Sequence, residues 1–192
     1  MRRGDAECAA RWCKAAEEIH ADVCARGVDG RGVFVQHYGS TALDASALLI
    51  PLMGFVPPGD ERVRATVLAI ADELSHDGLV LRYRVEATDD GLEGEEGTFT
   101  ICSFWLVSAL ALIGEHQRAR SLCEKLLSLA SPLHLYAEEL DAASGQHLGN
   151  YPQAFTHLAL IDAVTQLIEL EAVQAAPDPG GEGGHASQTS PA

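Results

Sequence analysis

Two adjacent carboxylates, Glu138 and Glu139, are the residues of this sequence best suited to acid–base chemistry. They stand between the apolar residues Ala137 and Leu140, and an Asp-x-x-Ser-Gly turn begins at Asp141. A carboxylate held against a partly apolar wall can be tuned to take a proton from a water molecule. The alternative interpretation is a solvated or capping acidic pair ahead of a turn, and the residues alone leave both open.

A second group that could bind or act on a ligand is the tripeptide Arg82-Tyr83-Arg84. It precedes an acidic run over 89–96 that ends at Glu96. The planar fork of an arginine can hydrogen-bond several hydroxyls of one sugar. An acidic run is otherwise typical of a solvated loop. This stretch is therefore interpreted either as part of a sugar site or as an ordinary charged surface loop.

Two aromatic residues complete the set of candidates. Trp105 stands near the start of an uncharged segment, where an indole is commonly core but can also stack on the apolar face of a sugar. Tyr38 lies in the stretch Gln36-His37-Tyr38-Gly39, in which His37 by itself is typical of a loop histidine. No cluster of metal-ligating residues is visible, so neither a metal ion nor a cofactor is expected.

Six helical segments position these residues, because apolar residues recur at helical spacing in six stretches. The segments are predicted over 5–26, 43–55, 60–75, 98–113, 115–130 and 150–172. The first, third and fifth carry charges, whereas the second and fourth carry almost none. A helix that is apolar all round must be covered on every side, and an amphipathic helix lies outside. The pattern therefore predicts an all-α fold with alternating outer and inner layers.

The connections between the segments alternate in length. Links from outer to inner segments are long, at 27–42, 76–97 and 131–151, whereas the others span a few residues. Long loops in compact domains are usually functional, and all three emerge at the same end of the inner helices, where we expect the site. Such helical hairpins occur in α/α barrels and in solenoids. A barrel segment is preferred because the sequence shows no fixed repeat.

Composition restricts the class of protein. The formal net charge of −15 disfavours nucleic acid and anionic membranes as partners. The start of the chain lacks an apolar signal region, and no apolar run is long enough to span a membrane, so a soluble cytoplasmic protein is expected. The five cysteines lie mostly among alanines and leucines and are interpreted as buried small hydrophobes. The domain is predicted to cover 1–172, with a disordered tail over 173–192.

Four motifs together resemble the glucoamylase-type family of inverting glycoside hydrolases, family 15, which includes glucoamylases, glucodextranases and bacterial trehalases. The motifs are Phe34-Val35-Gln36-His37-Tyr38-Gly39 with Leu43-Asp44-Ala45-Ser46, Arg82-Tyr83-Arg84, Glu96-Gly97-x-Phe99 with Cys102-Ser103-Phe104-Trp105, and Glu138-Glu139-Leu140-Asp141 with Gly149-Asn150-Tyr151-Pro152-Gln153-Ala154-Phe155. They occur in the family's order and spacing between about residues 30 and 160.

The resemblance implies the C-terminal part of an (α/α)6-barrel catalytic domain that cleaves α-glucosidic bonds with inversion. Glu138 matches the family's general base, the Glu that follows a small residue and precedes Glu or Gln. The positions that line the family's sugar-binding end are matched here by Arg82, Glu96 and Trp105. A further candidate for sugar binding is Tyr38, which lies in the first motif.

The resemblance also implies something that this chain lacks. The family's general acid, a Glu in a Trp-containing motif, lies upstream of every residue present here. This chain alone is therefore expected to be inactive on an α-glucoside or trehalose-like sugar. The upstream half of the domain is its expected partner, and self-association through uncovered inner helices is a further expectation. The alternative is a non-catalytic helical module, or a truncated product, that docks with a partner polypeptide.

Overall fold

The computed structural model describes residues 3–84 and 97–175. The helices of this part of the chain are α1 (Arg3–Arg26), a 3-10 helix (Ala45–Leu48), α2 (Leu49–Leu52), α3 (Glu61–Glu73), α4 (Thr100–Leu112), α5 (His116–Ser128) and α6 (Ala154–Ala175). The strands, each of two residues, are β1 (Ser75–His76), β2 (Leu79–Val80), β3 (Thr98–Phe99), β4 (Glu139–Leu140) and β5 (His147–Leu148). The all-α class is confirmed, since the strands only tie the long loops together.

Helix α4 is the centre of the structure. It carries no charged residue, and ten of its thirteen residues are buried. It packs against α3, α5, α6 and the 3-10 helix. Phe104, Val107 and Ala109 have no exposed surface. The prediction of an inner helix at this place is therefore confirmed, and the physical reason is that an uncharged helix needs cover on every side.

Helices α3 and α5 lie outside α4, as their charges predict. Each turns one apolar face to the core, with Val67 and Ile70 buried on α3 and Leu126 buried on α5. Their polar faces are joined by an ion pair of 3.3 Å between Arg118 and Asp72. Both helices are amphipathic, which is the pattern of an outer layer.

Asp60 fixes the start of α3, as predicted. Its Oδ1 accepts a hydrogen bond from the backbone N of Arg62 at 2.9 Å, and the Arg62 guanidinium donates to both carboxylate oxygens, at 2.9 and 2.6 Å. These hydrogen bonds from Arg62, its side chain first, lower the pKa of Asp60 from 3.8 to about 2. The cap and the ion pair therefore act together in holding the first turn of α3.

Asp60→Asn is expected to lower the free energy of unfolding at pH 7 by about 1–2 kcal/mol, because asparagine still caps the helix but loses the ion pair. The folded pKa of Asp60 is depressed. Its contribution is therefore present above pH 4 and disappears as the pH falls towards 2. Urea unfolding of both proteins between pH 7 and pH 2 measures this. A difference that stayed constant down to pH 2 would contradict the assignment.

The second predicted helix is much shorter than the expected 43–55. Asp44 caps it by accepting from the N of Ser46 at 2.8 Å, and the chain then forms the 3-10 helix and one turn of α2. Gly54 ends the helix in the left-handed region, with φ of +69°. The N of Phe55 then bonds back to the carbonyl of Ile50 at 2.9 Å, which closes the C-terminal cap.

Helix α6 begins later and ends later than predicted. Residues 150–153 are not helical, because the N of Gln153 donates to the carbonyl of Tyr136 at 2.9 Å and holds this stretch against the third loop. The helix continues to Ala175, three residues into the predicted tail. The remainder of that tail, 176–192, lies outside the described residues.

One side of α6 is apolar and exposed. Its side chains there are 59–74% exposed: Phe155, Leu158, Ile161, Ile168 and Val173. We call these five residues the α6 face. Within the described residues, α6 is therefore an uncovered inner helix, which is the expectation for a chain that holds only part of a barrel. Its other side packs on α4 and α5, where Ala159 and Ala163 are buried.

Helix α1 packs on the rest of the structure through its C-terminal part, where His20 lies against Phe55 and both Val23 and Cys24 contact the core. Trp12 is 65% exposed on its outer turns. Cys8 and Cys13 are also exposed, so the interpretation of the cysteines as buried is wrong for these two. The buried pair is Cys102 and Cys123. Among the described helices, none combines the length and the apolar character that crossing a membrane requires.

The three long loops meet, as predicted. An antiparallel bridge joins Asp44, at the end of the first loop, to Tyr83 in the second. The second loop ends in β3, which pairs with β4 of the third loop and places Phe99 opposite Glu139. Strand β5 completes a three-stranded sheet in the order β3-β4-β5. The loops therefore lie together at the end from which α4 and α6 start.

Candidate active site

The backbone of Glu138 is fixed between two inner helices. Its carbonyl accepts from the N of Thr100, the first residue of α4, at 3.0 Å. Its N donates to the carbonyl of Asn150, just ahead of α6, at 2.9 Å. The residue is half-buried at the end of the structure where the loops meet. This is the placement that the loop pattern predicts for a functional carboxylate.

The carboxylate of Glu138 is held by one oxygen. Its Oε2 accepts from the N of Asn150 at 3.2 Å and from Nδ2 of Asn150 at 2.9 Å. Both of its hydrogen bonds to described residues go to Oε2, so Oε1 has no partner within that part of the chain. One oxygen is therefore anchored, while the other can accept a proton from a water molecule.

Gly149 makes this arrangement possible in two ways. Its φ of +72° lies in the left-handed region, which a side chain strains. A Cβ at this position would also stand 3.1 Å from both Cβ and Oε2 of Glu138. Any larger residue would therefore push the carboxylate away from Asn150.

Glu139 has different surroundings from its neighbour. Its Oε2 accepts from the backbone N of Gly97 at 2.8 Å, directly ahead of β3. The carboxylate therefore serves to tie the second loop to the third. Adjacent residues of a strand point to opposite faces, which explains why only one member of the acidic pair faces the loop ahead of α6.

Arg82 lies beside the sheet that follows Glu138. Its guanidinium carbon stands 5.0 Å from the ring centre of Phe99 and 4.5 Å from that of Tyr83, and its Nη2 donates to the Tyr83 hydroxyl at 2.5 Å. Phe99 is opposite Glu139 in the sheet. Arg84 instead donates to the carbonyl of Glu73 at 2.6 Å and belongs to the end of α3.

Two other predicted residues, Trp105 and Tyr38, have no hydrogen bond to Glu138 in the described part of the chain. Trp105 is half-buried on α4 and packs against the core. The hydroxyl of Tyr38 donates to Asp22 at 2.9 Å, and its ring lies 4.4 Å from the guanidinium carbon of Arg26 on α1. The hydrogen bond to Asp22 raises the pKa of Tyr38. Glu96 lies outside the described residues.

Sequence reasoning missed the residues that hold Glu138 in place. Asn150 was predicted only as the start of the sixth helix, although a Gly-Asn pair is a turn signal that could have drawn attention to it. His147 and His157 bond to the backbone just before Glu138. Single histidines in a loop and in a helix carry no comparable signal.

The chain is similar to known trehalases. It is 69% identical over 169 residues to a trehalase of Mycolicibacterium smegmatis, which covers 88% of this chain and 25% of the relative. It is 43% identical over 161 residues to a trehalase of Thermoplasma acidophilum, which covers 83% of this chain and 27% of the relative. The chain thus spans about a quarter of the length of these relatives.

Solved glycosidases have a similar fold. One glycosidase matches with a TM-score of 0.68 at 25% identity, over 82% of this chain and 44% of that chain. A glycosidase variant in complex with glucose matches with the same values. The model of the glycosyl hydrolases family 15 matches residues 1–165. These residues make up most of the chain, so the chain belongs to glycosyl hydrolases family 15.

Proposed function

We propose that this chain forms the general-base side of an inverting active site that hydrolyses trehalose. The observation that carries the proposal is the Glu138 carboxylate, which is anchored through Oε2 to Asn150 and has Oε1 without a described partner. The trehalase relatives support trehalose as the substrate. The glycosidase variant in complex with glucose supports a site for a glucosyl unit.

In the proposed reaction, Oε1 of Glu138 takes a proton from a water molecule while the water oxygen attacks the anomeric carbon of one glucosyl unit. The bond from that carbon to the bridging oxygen breaks, and its electron pair stays with the departing glucose. A second carboxyl protonates that oxygen. The water becomes the new anomeric hydroxyl, so one trehalose and one water give two glucose molecules.

Inversion requires the two carboxyls to be about 6.5–9.5 Å apart, so that the water fits between base and sugar. Glu139 is bonded to the N of Gly97 and is a poor candidate for the second group. We therefore infer that the general acid comes from the part of the catalytic protein that this chain does not span. Arg82 is proposed to donate hydrogen bonds to hydroxyls of the sugar, because its fork stands beside the same sheet.

The stereochemistry of the products tests this mechanism. The experiment uses a chimeric trehalase in which this chain replaces the matching 169 residues of the Mycolicibacterium smegmatis protein. Trehalose contains two α-linked glucosyl units, so inversion is expected to release α- and β-glucose in equal initial amounts. Proton NMR in the first minutes, before mutarotation, measures the ratio. Release of α-glucose alone would show retention and would refute the single displacement by a water molecule that Glu138 activates.

The alternative function, a helical module that docks with a partner, is favoured by the α6 face. Contiguous apolar surface on a soluble protein usually marks an interface. We propose that its partner is the remainder of the catalytic domain, because this chain matches less than half of the solved glycosidase chain. Docking and catalysis are then two parts of one function. Self-association through the α6 face is the proposed behaviour of the chain when that partner is absent.

A further inference from the structure

In residues 136–138, which precede β4, every backbone N–H and carbonyl group makes a hydrogen bond, although these residues are not part of a strand. The N of Tyr136 donates to Nε2 of His157, and its carbonyl accepts from the N of Gln153. The N of Ala137 donates to Nδ1 of His147, and its carbonyl accepts from Oγ1 of Thr156. The N of Glu138 donates to the carbonyl of Asn150, and its carbonyl accepts from the N of Thr100. Buried backbone groups need such partners, and here three of the six are side chains. The position of the base therefore depends on those side chains.

His147 bonds to the backbone through both ring nitrogens. Its Nδ1 lies 3.2 Å from the N of Ala137, which can only donate, so Nδ1 accepts. Its Nε2 lies 2.9 Å from the carbonyl of Leu129, which can only accept, so Nε2 carries the proton. The ring is thus a neutral imidazole of defined tautomer that links the end of α5 to the residue before Glu138.

His157 has the opposite arrangement. Its Nε2 lies 3.3 Å from the N of Tyr136 and accepts, whereas its Nδ1 lies 2.6 Å from the carbonyl of Gln153 and donates. Both imidazoles lie near the ring of Tyr136, with ring centres at 6.3 and 5.9 Å from that of the tyrosine. Tyr136 is buried and donates from its hydroxyl to the carbonyl of Leu126 at 2.9 Å.

We propose that His147 and His157 are positioning residues for Glu138, acting as neutral acceptors in opposite tautomers for the two amides that precede it. The proposal rests on the general-base role of Glu138. A histidine can accept only through an unprotonated nitrogen, so loss of either acceptor leaves a part-buried amide without a partner. The backbone would then shift, and displacement of a reacting group by about 1 Å can cost about 100-fold in rate.

The tautomers are tested on this chain directly. Nitrogen-15 NMR of the histidine side chains, assigned by loss of signals in His147→Asn and His157→Gln, is expected to show a proton on Nε2 of His147 and on Nδ1 of His157 at pH 7. The second state is distinctive, because an isolated neutral histidine favours the proton on Nε2. A charged ring, or the reverse tautomer, at either position would overturn the proposal.

Turnover of trehalose by the chimeric trehalase tests the positioning role. Asparagine can place an oxygen near the position of Nδ1, and glutamine can place one near that of Nε2. His147→Asn and His157→Gln are therefore expected to keep kcat within about threefold, whereas His147→Ala and His157→Ala lower it by about 10- to 100-fold with little change in KM. His76→Ala is the control, since His76 is exposed on β1.

If the alanine variants do not fold, the asparagine and glutamine variants decide. Retained turnover supports the acceptor role, and losses as large as in the control Glu138→Gln would overturn it, because packing rather than hydrogen bonding would then matter. The failure of the two proposals can be told apart. Normal kcat in Glu138→Gln refutes the base assignment, whereas an inactive Glu138→Gln with fully active His147→Ala and His157→Ala refutes only the positioning role.

Discussion

Glu138→Gln in the chimeric trehalase is expected to lower kcat for trehalose by about 10²- to 10⁴-fold, the usual effect of a lost general base. Glutamine has nearly the same shape, and its oxygen can still accept from Asn150, so the loop ahead of α6 should keep its place. It cannot take a proton from water. Substrate binding is little affected, so KM is expected to stay within about threefold. Steady-state glucose release measures both constants.

Glu139→Gln is the matched control, because it makes the same change one residue along the chain. The carboxylate of Glu139 bonds to the N of Gly97, and glutamine can accept the same hydrogen bond. A change in kcat below about tenfold is expected. A severe loss in Glu139→Gln with a mild loss in Glu138→Gln would show that Glu139 is the general base. The hydrogen bonds from Asn150 to Glu138 would then have no catalytic role.

The inner and outer helices were predictable because charged residues mark the helices that have a solvent-exposed face. Helix α4 has no charged residue and is covered almost completely, whereas α3 and α5 show one apolar face each. The shortness of α2 was not predictable from its apolar composition. The conformation of Gly54, which stops the helix, depends on how the chain packs around it, and a glycine by itself is compatible with several backbone conformations.

The site was predictable in part. Glu138 and Arg82 are predicted as site residues from residue types and family motifs, and the structure places both beside the β3–β4–β5 sheet. Tyr38 came from the same motifs, yet its hydroxyl and ring are both bound to α1. Which element each side chain contacts depends on residues far apart in the sequence. The hydrogen bonds of His147 and His157 to the backbone were not predictable for the same reason.

The 192-residue chain alone is expected to release no glucose from trehalose, maltose or dextrin above about a thousandth of the rate of the chimeric trehalase. A base without an acid leaves the departing oxygen unprotonated, and each group contributes about 10² to 10⁴ in rate. Addition of the region of the Mycolicibacterium smegmatis trehalase that the chain does not match, as a separate polypeptide, is expected to restore turnover. That region would supply the acid and cover the α6 face at the same time.

Glutamate substitutions on the α6 face test whether the added region restores turnover by binding to that face. Leu158→Glu and Ile161→Glu place a carboxylate where the current side chains are 59 and 60% exposed, so the chain itself should remain folded. Burial of an unpaired charge in the assembled protein is costly, and both variants are expected to abolish complementation. Leu127→Glu, at a 46% exposed position on α5, is the matched control and should complement normally. Equal turnover by all three variants would show that the added region binds elsewhere. Robust turnover by the chain alone that Glu138→Gln abolishes would show that no acid from outside the chain is needed.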